Sequence, residues 1–581
     1  MKTKPPIVVV GSGLTGLFTT LCLALSNQQV VLLSADSDIK SAFGPFNMGL
    51  YLPSVNAANE PRLDNFAQEF IRMSDFLCDQ YLANDFAKKI PHIFQLLQRL
   101  GVVFDRREEG IFWDSETIDV DRRLLHAGYL TRLKIASKIR AAVIELIALK
   151  KITFRPHTSF MKPILDSKNN CRGVLVINKK TMESLALPAA SVIMCTGGYE
   201  GLFEKTTQSH SLGAAIGSLY QEGAMLANPE MIQHEIVFKG LNATLQAAPL
   251  VEILGGRYWI KKDGRPWYFL EDLYPQFKNN LPQIVVGRAI LKLKEKGVKD
   301  FFVEIPKDNL LFGQPSWRHF STFLQNNFGQ NIDLTAMPID LAVADTLGGL
   351  WVNQNFETNI PGLLAAGGAQ YQLKGASVLS GYKIGISLFS AFQAAEQSML
   401  VAAKLLRTFE AVPAFLFDEA CQNDFRKNRS IMDLRGAENT YRLIDELKML
   451  LSRDAGFVRD NRTLQDLLEK IREMKFRLKE VLINDRSLVY NQELLMYRDL
   501  ENVLPLVEAC VKSALLRDES RGCHFKPQFS ERNDMNYLKT TRVRCVADLP
   551  KVEYEDIPKT DLRNSVSHDA MSLPFNNKRA S

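Results

Sequence analysis

This 581-residue chain contains no Cys-x-x-Cys pair; its eight cysteines, Cys22, Cys78, Cys171, Cys195, Cys421, Cys510, Cys523 and Cys545, are scattered. That spacing excludes zinc-ribbon and iron–sulfur ligation by the chain itself, so no metal site is expected and any cluster has to belong to a partner. Scattered thiols fit a reducing, cytoplasmic compartment. No apolar run approaches the ~20 residues that a membrane span needs. The basic start, Met1 to Lys4, leads into an apolar stretch broken by Gly11, Ser12, Gly13 and Gly16 with no small-residue cleavage site after it, so a signal peptide is not expected. Neither sign of charge dominates: 71 Lys+Arg stand against 65 Asp+Glu, a net charge of +6 that gives no footprint for nucleic acid. Internal repeats and low-complexity tracts are also missing. What remains is 46% hydrophobic and 23% charged, a composition that argues against disorder and supplies a sizeable core. At ~150 residues per domain, the length predicts about four modules.

The densest local pattern is at the start. Ile7-Val8-Val9-Val10 is a continuous β-branched run, as a buried parallel strand requires. It passes into Gly11-Ser12-Gly13-Leu14-Thr15-Gly16, then an apolar helix-like stretch to Leu25, then a second run, Val30 to Leu33. Strand, glycine turn, helix and strand form a βαβ unit whose three glycines permit a tight turn, close approach to a pyrophosphate and close helix packing. The helix N-terminus adds partial positive charge for phosphate. The acid expected at the end of the second strand is missing: Ser34 stands there, and Asp36 follows two residues later.

Two later segments repeat the strand-to-glycine design, Ser191 to Cys195 ending in Thr196-Gly197-Gly198, and Ile360 to Ala366 ending in Gly367-Gly368. Ile384 to Gln397 then reads as a helix. Residues 233–349 read as an α+β insertion, and 405–516 as almost wholly helical in period. Beyond 524 only Lys551-Val552-Glu553-Tyr554 reads as a strand, and the last dozen residues are expected to fray.

The helical part carries longer strings: Asp485 to Asn491, Leu500-Glu501-Asn502, Glu519-Ser520-Arg521-Gly522-Cys523-His524, Glu531-Arg532-Asn533-Asp534 and Asn536 to Lys539. With Cys78-Asp79, Gly101 to Asp105, Arg122 to Ala127, and Thr131, these resemble the flavoprotein family of succinate dehydrogenase, fumarate reductase and L-aspartate oxidase over about residues 5–558. The resemblance implies an α/β fold. A Rossmann-like FAD-binding domain (1–232 and 350–404) is interrupted by an α+β capping domain (233–349) and followed by a helical bundle domain (405–524) and an irregular C-terminal segment (525–581). It implies FAD held by Gly11, Ser12, Gly13, Leu14, Thr15, Gly16, Ser34, Asn47, Gly49, Thr196, Gly197, Gly198, Gly367 and Gly368. It also implies an iron–sulfur partner subunit of a respiratory-type complex, with the chain cytoplasmic or peripheral on the inner membrane through that complex.

Residues of the family's chemistry are replaced. The segment in which respiratory members carry the flavin-linking histidine reads Ser41 to Gly49 without histidine, so FAD is expected to be non-covalent. Gln283 stands at the proton-donating arginine, Ala344 at a carboxylate-binding histidine, and Val378 at the arginine of Gly-Ala-Asn-Arg. Glu235 stands at a further histidine, with His234 one residue away, and Gly368 at an acid that helps hold FAD. Each lost cation removes a charge-assisted contact of roughly 1.5–3 kcal/mol. A dianionic substrate is therefore expected to bind poorly.

Polar residues that remain as candidates for an unidentified small-molecule substrate are Gln283, Arg288, Glu252, His234 and Glu235, with Arg257 and Lys383 as further sources of charge. His126 is expected to pack or to adjoin FAD, Arg521 and His524 to stabilise the helical domain or a docking face, and Cys195 to serve as a small apolar residue. Trp259, Trp267 and Trp317 read as core or lid residues. The leading expectation is an FAD-dependent oxidoreductase subunit with an altered dicarboxylate pocket. The alternatives are a catalytically retired member kept for assembly or electron relay, and an L-aspartate oxidase-like enzyme.

Overall fold

The computed structural model describes residues 4–39, 49–53, 62–105, 113–114, 122–127, 130–239, 246–247, 251, 254–279, 281–306, 320, 322–323, 326, 334–408 and 412–559. Asn47, Glu252, Trp317 and the C-terminal dozen lie outside them. Five parallel strands form the central sheet, in the order Leu363–Ala365, Ser191–Met194, Ile7–Val10, Val30–Leu33 and Ile152–Arg155. Ile7–Val10 is in the middle and fully buried, which is why its sequence shows no polar alternation. The helix Leu14–Leu25 packs against the long helix Ser380–Leu406, which extends well beyond the predicted Ile384 to Gln397.

A separate antiparallel sheet runs Ile232–Phe238, Met337–Thr346, Phe301–Glu304, Arg257–Lys262 and Arg265–Trp267. It shares its own apolar core, including Ile236, Tyr258, Ile290 and Val303, with the helix Gln283–Glu295. The helices Phe415–Met432, Thr440–Asp454, Asn461–Arg477 and Gln492–Leu516 follow. Three of them start on a side chain that caps free backbone N–H groups: Asn439, Asp460 and Asn491.

The C-terminal segment corrects the sequence reading. Lys539–Val546 and Leu549–Asp556 form a full hairpin, and Lys539–Val546 also pairs with Leu226–Ala227. The turn residues Ala547 and Asp548 have φ of +48° and +60°. A two-residue hairpin turn needs such angles, normally announced by Asn-Gly or Asp-Gly. Ala-Asp gives no such signal, so the first strand was missed.

Candidate functional site

The ends of the central strands open into a cavity of about 420 Å³ that runs from the first glycine turn to the edge of the antiparallel sheet. The three glycines do different work. Gly11 has φ of +109°, and a Cβ there would fall 2.4 Å from the Cys195 carbonyl oxygen. A Cβ on Gly16 would fall 1.8 Å from the Gly11 carbonyl oxygen, so this glycine sets how closely helix and turn pack. A Cβ on Gly13 would meet nothing within 4 Å, because that glycine faces the cavity. Tight turn, open face and close helix form the cradle that a dinucleotide pyrophosphate fits.

Ser34 ends the second strand on the cavity wall, its hydroxyl 2.8 Å from that of Ser12 and accepting from the Asp36 N–H at 3.2 Å. Thr196, Gly197, Gly198, Gly367 and Gly368 line the middle. Gly367, at φ of +64°, lies against Thr15, and its N–H donates to Ser390 Oγ at 2.9 Å. Gly49 is buried but does not line the cavity. Cys195 lines the wall as a buried thiol whose pKa desolvation pushes up to about 12, as expected of a small apolar residue.

The far end is charged. Lys383 donates to Glu235 at 2.6 Å and lies 3.7 Å from Asp345. Lys374 is anchored by the carbonyl oxygens of Thr346 and Gly368, at 3.1 and 3.0 Å. Glu200 Oε1 accepts from the backbone N–H and hydroxyl of Thr346, both at 3.0 Å, while Oε2 has no hydrogen-bond partner among the described residues. Burial, then the Asp345 charge, pushes the Glu200 carboxyl up to about 7. Arg132, in the first turn of the helix Thr131–Ala148, completes the group.

Of the sequence candidates, Glu235 reaches this cluster through Lys383; Gln233, which was not among them, braces it by bonding both the N–H and the carbonyl of Val378, each at 2.8 Å. His234 faces the other way. Its ring lies 6.5 and 5.5 Å from those of Phe203 and Phe457, and burial, then Arg459, brings its pKa down to about 3. Successive strand side chains point to opposite faces, so a one-residue slip cannot bring it to the cavity.

Gln283 and Arg288 sit on the capping helix and do not line the cavity. The Arg288 guanidinium stacks 4.4 Å above Phe525 and donates to the Gly522 carbonyl at 3.3 Å. Arg257 is held by both carboxylate oxygens of Glu271, away from the cavity. His126 bonds Asp105 at 2.8 Å. His524 is buried, its Nε2 donating to the Arg517 carbonyl and its Nδ1 accepting from Arg459, a neutral structural imidazole. Sequence reasoning missed Arg132, Glu200, Asp345 and Lys374. Nothing local marks them, although Arg132 follows the singled-out Thr131 directly.

A family model described as FAD binding domain matches residues 6–384, and one described as fumarate reductase flavoprotein C-term matches 444–572. The succinate dehydrogenase flavoprotein subunit of Bacillus subtilis is 31% identical over 570 residues, covering 96% of this chain and 97% of its own. The L-aspartate oxidase of Synechocystis is 24% identical, covering 90% and 93%. A solved quinol–fumarate reductase with menaquinol superposes with a TM-score of 0.85 at 22% identity, covering 97% of this chain and 100% of that one. The chain belongs to the FAD-dependent oxidoreductase family of succinate dehydrogenase and fumarate reductase flavoproteins.

Proposed function

We propose that this chain is the flavoprotein subunit of a succinate dehydrogenase- or fumarate reductase-like electron-transfer complex, with FAD held non-covalently and a dicarboxylate site that has been rebuilt. The carrying observation is the contrast along one cavity. At one end the glycine turn keeps each feature a pyrophosphate needs; at the other, Lys383 is paired to Glu235, and Val378 offers no charge to a carboxylate.

Gly11, Gly13 and Gly16 with the N-terminus of the helix Leu14–Leu25 hold the phosphates, and Ser34 lies toward the ribose. Gly197, Gly198, Gly367 and Gly368 let the backbone approach the ring system. Bound FAD would supply hydride acceptance or donation at N5. Electrons would then pass to an iron–sulfur partner, and the assembly would lie at the cytoplasmic face of the inner membrane; no helix among the described residues is long and apolar enough to cross one. Glu235 contacts the rebuilt site by way of Lys383, whereas Gln283, Arg288 and His234 do not line it.

The test is the visible spectrum of the purified, FAD-loaded protein before and after acid precipitation. Flavin bands that leave with the supernatant are expected. Flavin retained in the pellet would overturn non-covalent attachment, and a protein that takes up no FAD would overturn the redox reading. That last outcome would favour a retired scaffold, the reading to which Ser34 and Gly368 point by their lack of an acid. Succinate and fumarate turnover by the loaded protein is expected to be weak, and rapid turnover of either would refute the rebuilt site.

A further inference from the structure

Three cations line the far end of the cavity, and all three interact with both Asp345 and Glu200. Two are already engaged. Lys383 is paired with Glu235 and lies 3.7 Å from Asp345, and Lys374 donates to main-chain carbonyls. Arg132 is different. Among the described residues, no hydrogen bond or ion pair engages its half-buried guanidinium, although it lies on the cavity wall within electrostatic range of both acids. A guanidinium carries five donors in a planar fork that matches a carboxylate, and leaving them unmatched on a half-buried side chain is unfavourable. A ligand anion would satisfy them.

The surroundings also limit how many charges that ligand can bring. Asp345, Glu200 and Glu235 stand within the same cluster, and Val378 contributes only apolar surface to the cavity wall. One carboxylate is matched by Arg132. A second would face acids whose own lysines are spent, and like charges at short range are repelled.

We propose that Arg132 anchors the carboxylate of a substrate that carries one carboxylate rather than two. This rests on the FAD-dependent reading of the same cavity and names the class of molecule it takes.

Crotonate and fumarate are suitable probes, because they share a double bond and differ in having one carboxylate or two. Calorimetric titration of the full chain, with and without FAD, should give crotonate binding at least about tenfold tighter than fumarate. Arg132→Leu should weaken crotonate about tenfold or more, the loss expected of one charge-assisted contact, and Arg132→Lys should recover part of it by restoring charge without the fork. FAD uptake, read separately from the visible spectrum after gel filtration, should be unaltered in both variants. Equal crotonate affinity in wild type and Arg132→Leu, tighter binding of fumarate, no binding of crotonate, or loss of FAD in Arg132→Leu would each overturn the assignment. Failure to retain FAD in the wild type is a separate result, directed at the cofactor reading, and leaves the crotonate comparison in the apoprotein to decide the role of Arg132.

Discussion

Two glycines of the same turn carry opposite predictions, because only one has room for a methyl group. Gly16→Ala drives a Cβ into the Gly11 carbonyl, so helix and turn must separate. Overpacking of this kind destabilises by roughly 1–3 kcal/mol, visible in a thermal melt of the apoprotein, and FAD binding should fall with it. Gly13→Ala meets no protein atom. The apoprotein should melt as the wild type does, and the loss should appear only in FAD titration, as the methyl group enters space a phosphate needs. Equal melting losses in both variants would refute the division of labour. Glu200 gives a pH prediction. Its folded pKa, about 7, lies above the ordinary 4.5, so the native state holds a proton that the unfolded chain has released. Stability from this group is full below about pH 4.5 and is lost as pH rises through about 7. Asp499 is pushed up by burial to about 6 and drifts in the same direction, so the informative quantity is the difference between wild type and Glu200→Gln. The variant, neutral throughout, should gain up to ~3 kcal/mol relative to wild type between pH 5 and 8. A constant difference across denaturant titrations at those pH values would count against it.

At the scale of elements, legibility followed the reach of the physical rule. The turn Gly11 to Gly16 could be read because every requirement lies within six consecutive residues. The hairpin 539–556 could not, because its turn is made by residues that do not favour it. That mismatch is itself testable. Ala547 is exposed and carries φ of +48°, where a Cβ is unfavourable. Ala547→Gly removes that strain without removing packing, and should stabilise the protein by about 0.5–1 kcal/mol. A lower urea midpoint would show that the turn is not strained. At the charged end of the cavity only Lys383 and Glu235 could be read, for another reason. Arg132 comes from a helix start, Glu200 from a short helical turn, Asp345 from a capping strand, and Lys374 from the segment before the long helix. Each is ordinary in its own segment; only the fold makes them neighbours. His234 shows the converse, since its neighbour in sequence, Glu235, is on the opposite face.

At the scale of the whole molecule, the strings that made the family recognisable turn out to hold distant parts together. Arg517, Glu519 and Arg521 are fully buried, and Glu230, from the strand region before the capping sheet, joins them by a 2.8 Å bond to Arg517. Glu519 accepts from Arg517 at 2.7 Å and from Arg521 at 2.9 Å, and Arg521 reaches the Asp75 carbonyl and Asp534. One network therefore ties the N-terminal part, the end of the last helix and the C-terminal hairpin, through residues up to 446 positions apart. The cysteine in the same string, Cys523, donates its N–H to the Ala376 carbonyl, two residues before the cavity-lining Val378. A buried ion network adds little net stability over an apolar core, but breaking one partner leaves charges stranded. Glu519→Ala removes the carboxylate shared by two buried arginines, leaving Arg517 only Glu230 and Arg521 only Asp534 as ion-pair partners among the described residues, and should lose about 3–5 kcal/mol. The loss should be accompanied by early proteolytic release of the C-terminal hairpin, because Arg517 also donates to the Lys539 carbonyl and the Thr541 hydroxyl. Glu519→Gln keeps shape and one acceptor, and should fall between. If Glu519→Ala melted with the wild type and its hairpin stayed protected, these residues would have to be explained by what docks on the chain and not by how it folds.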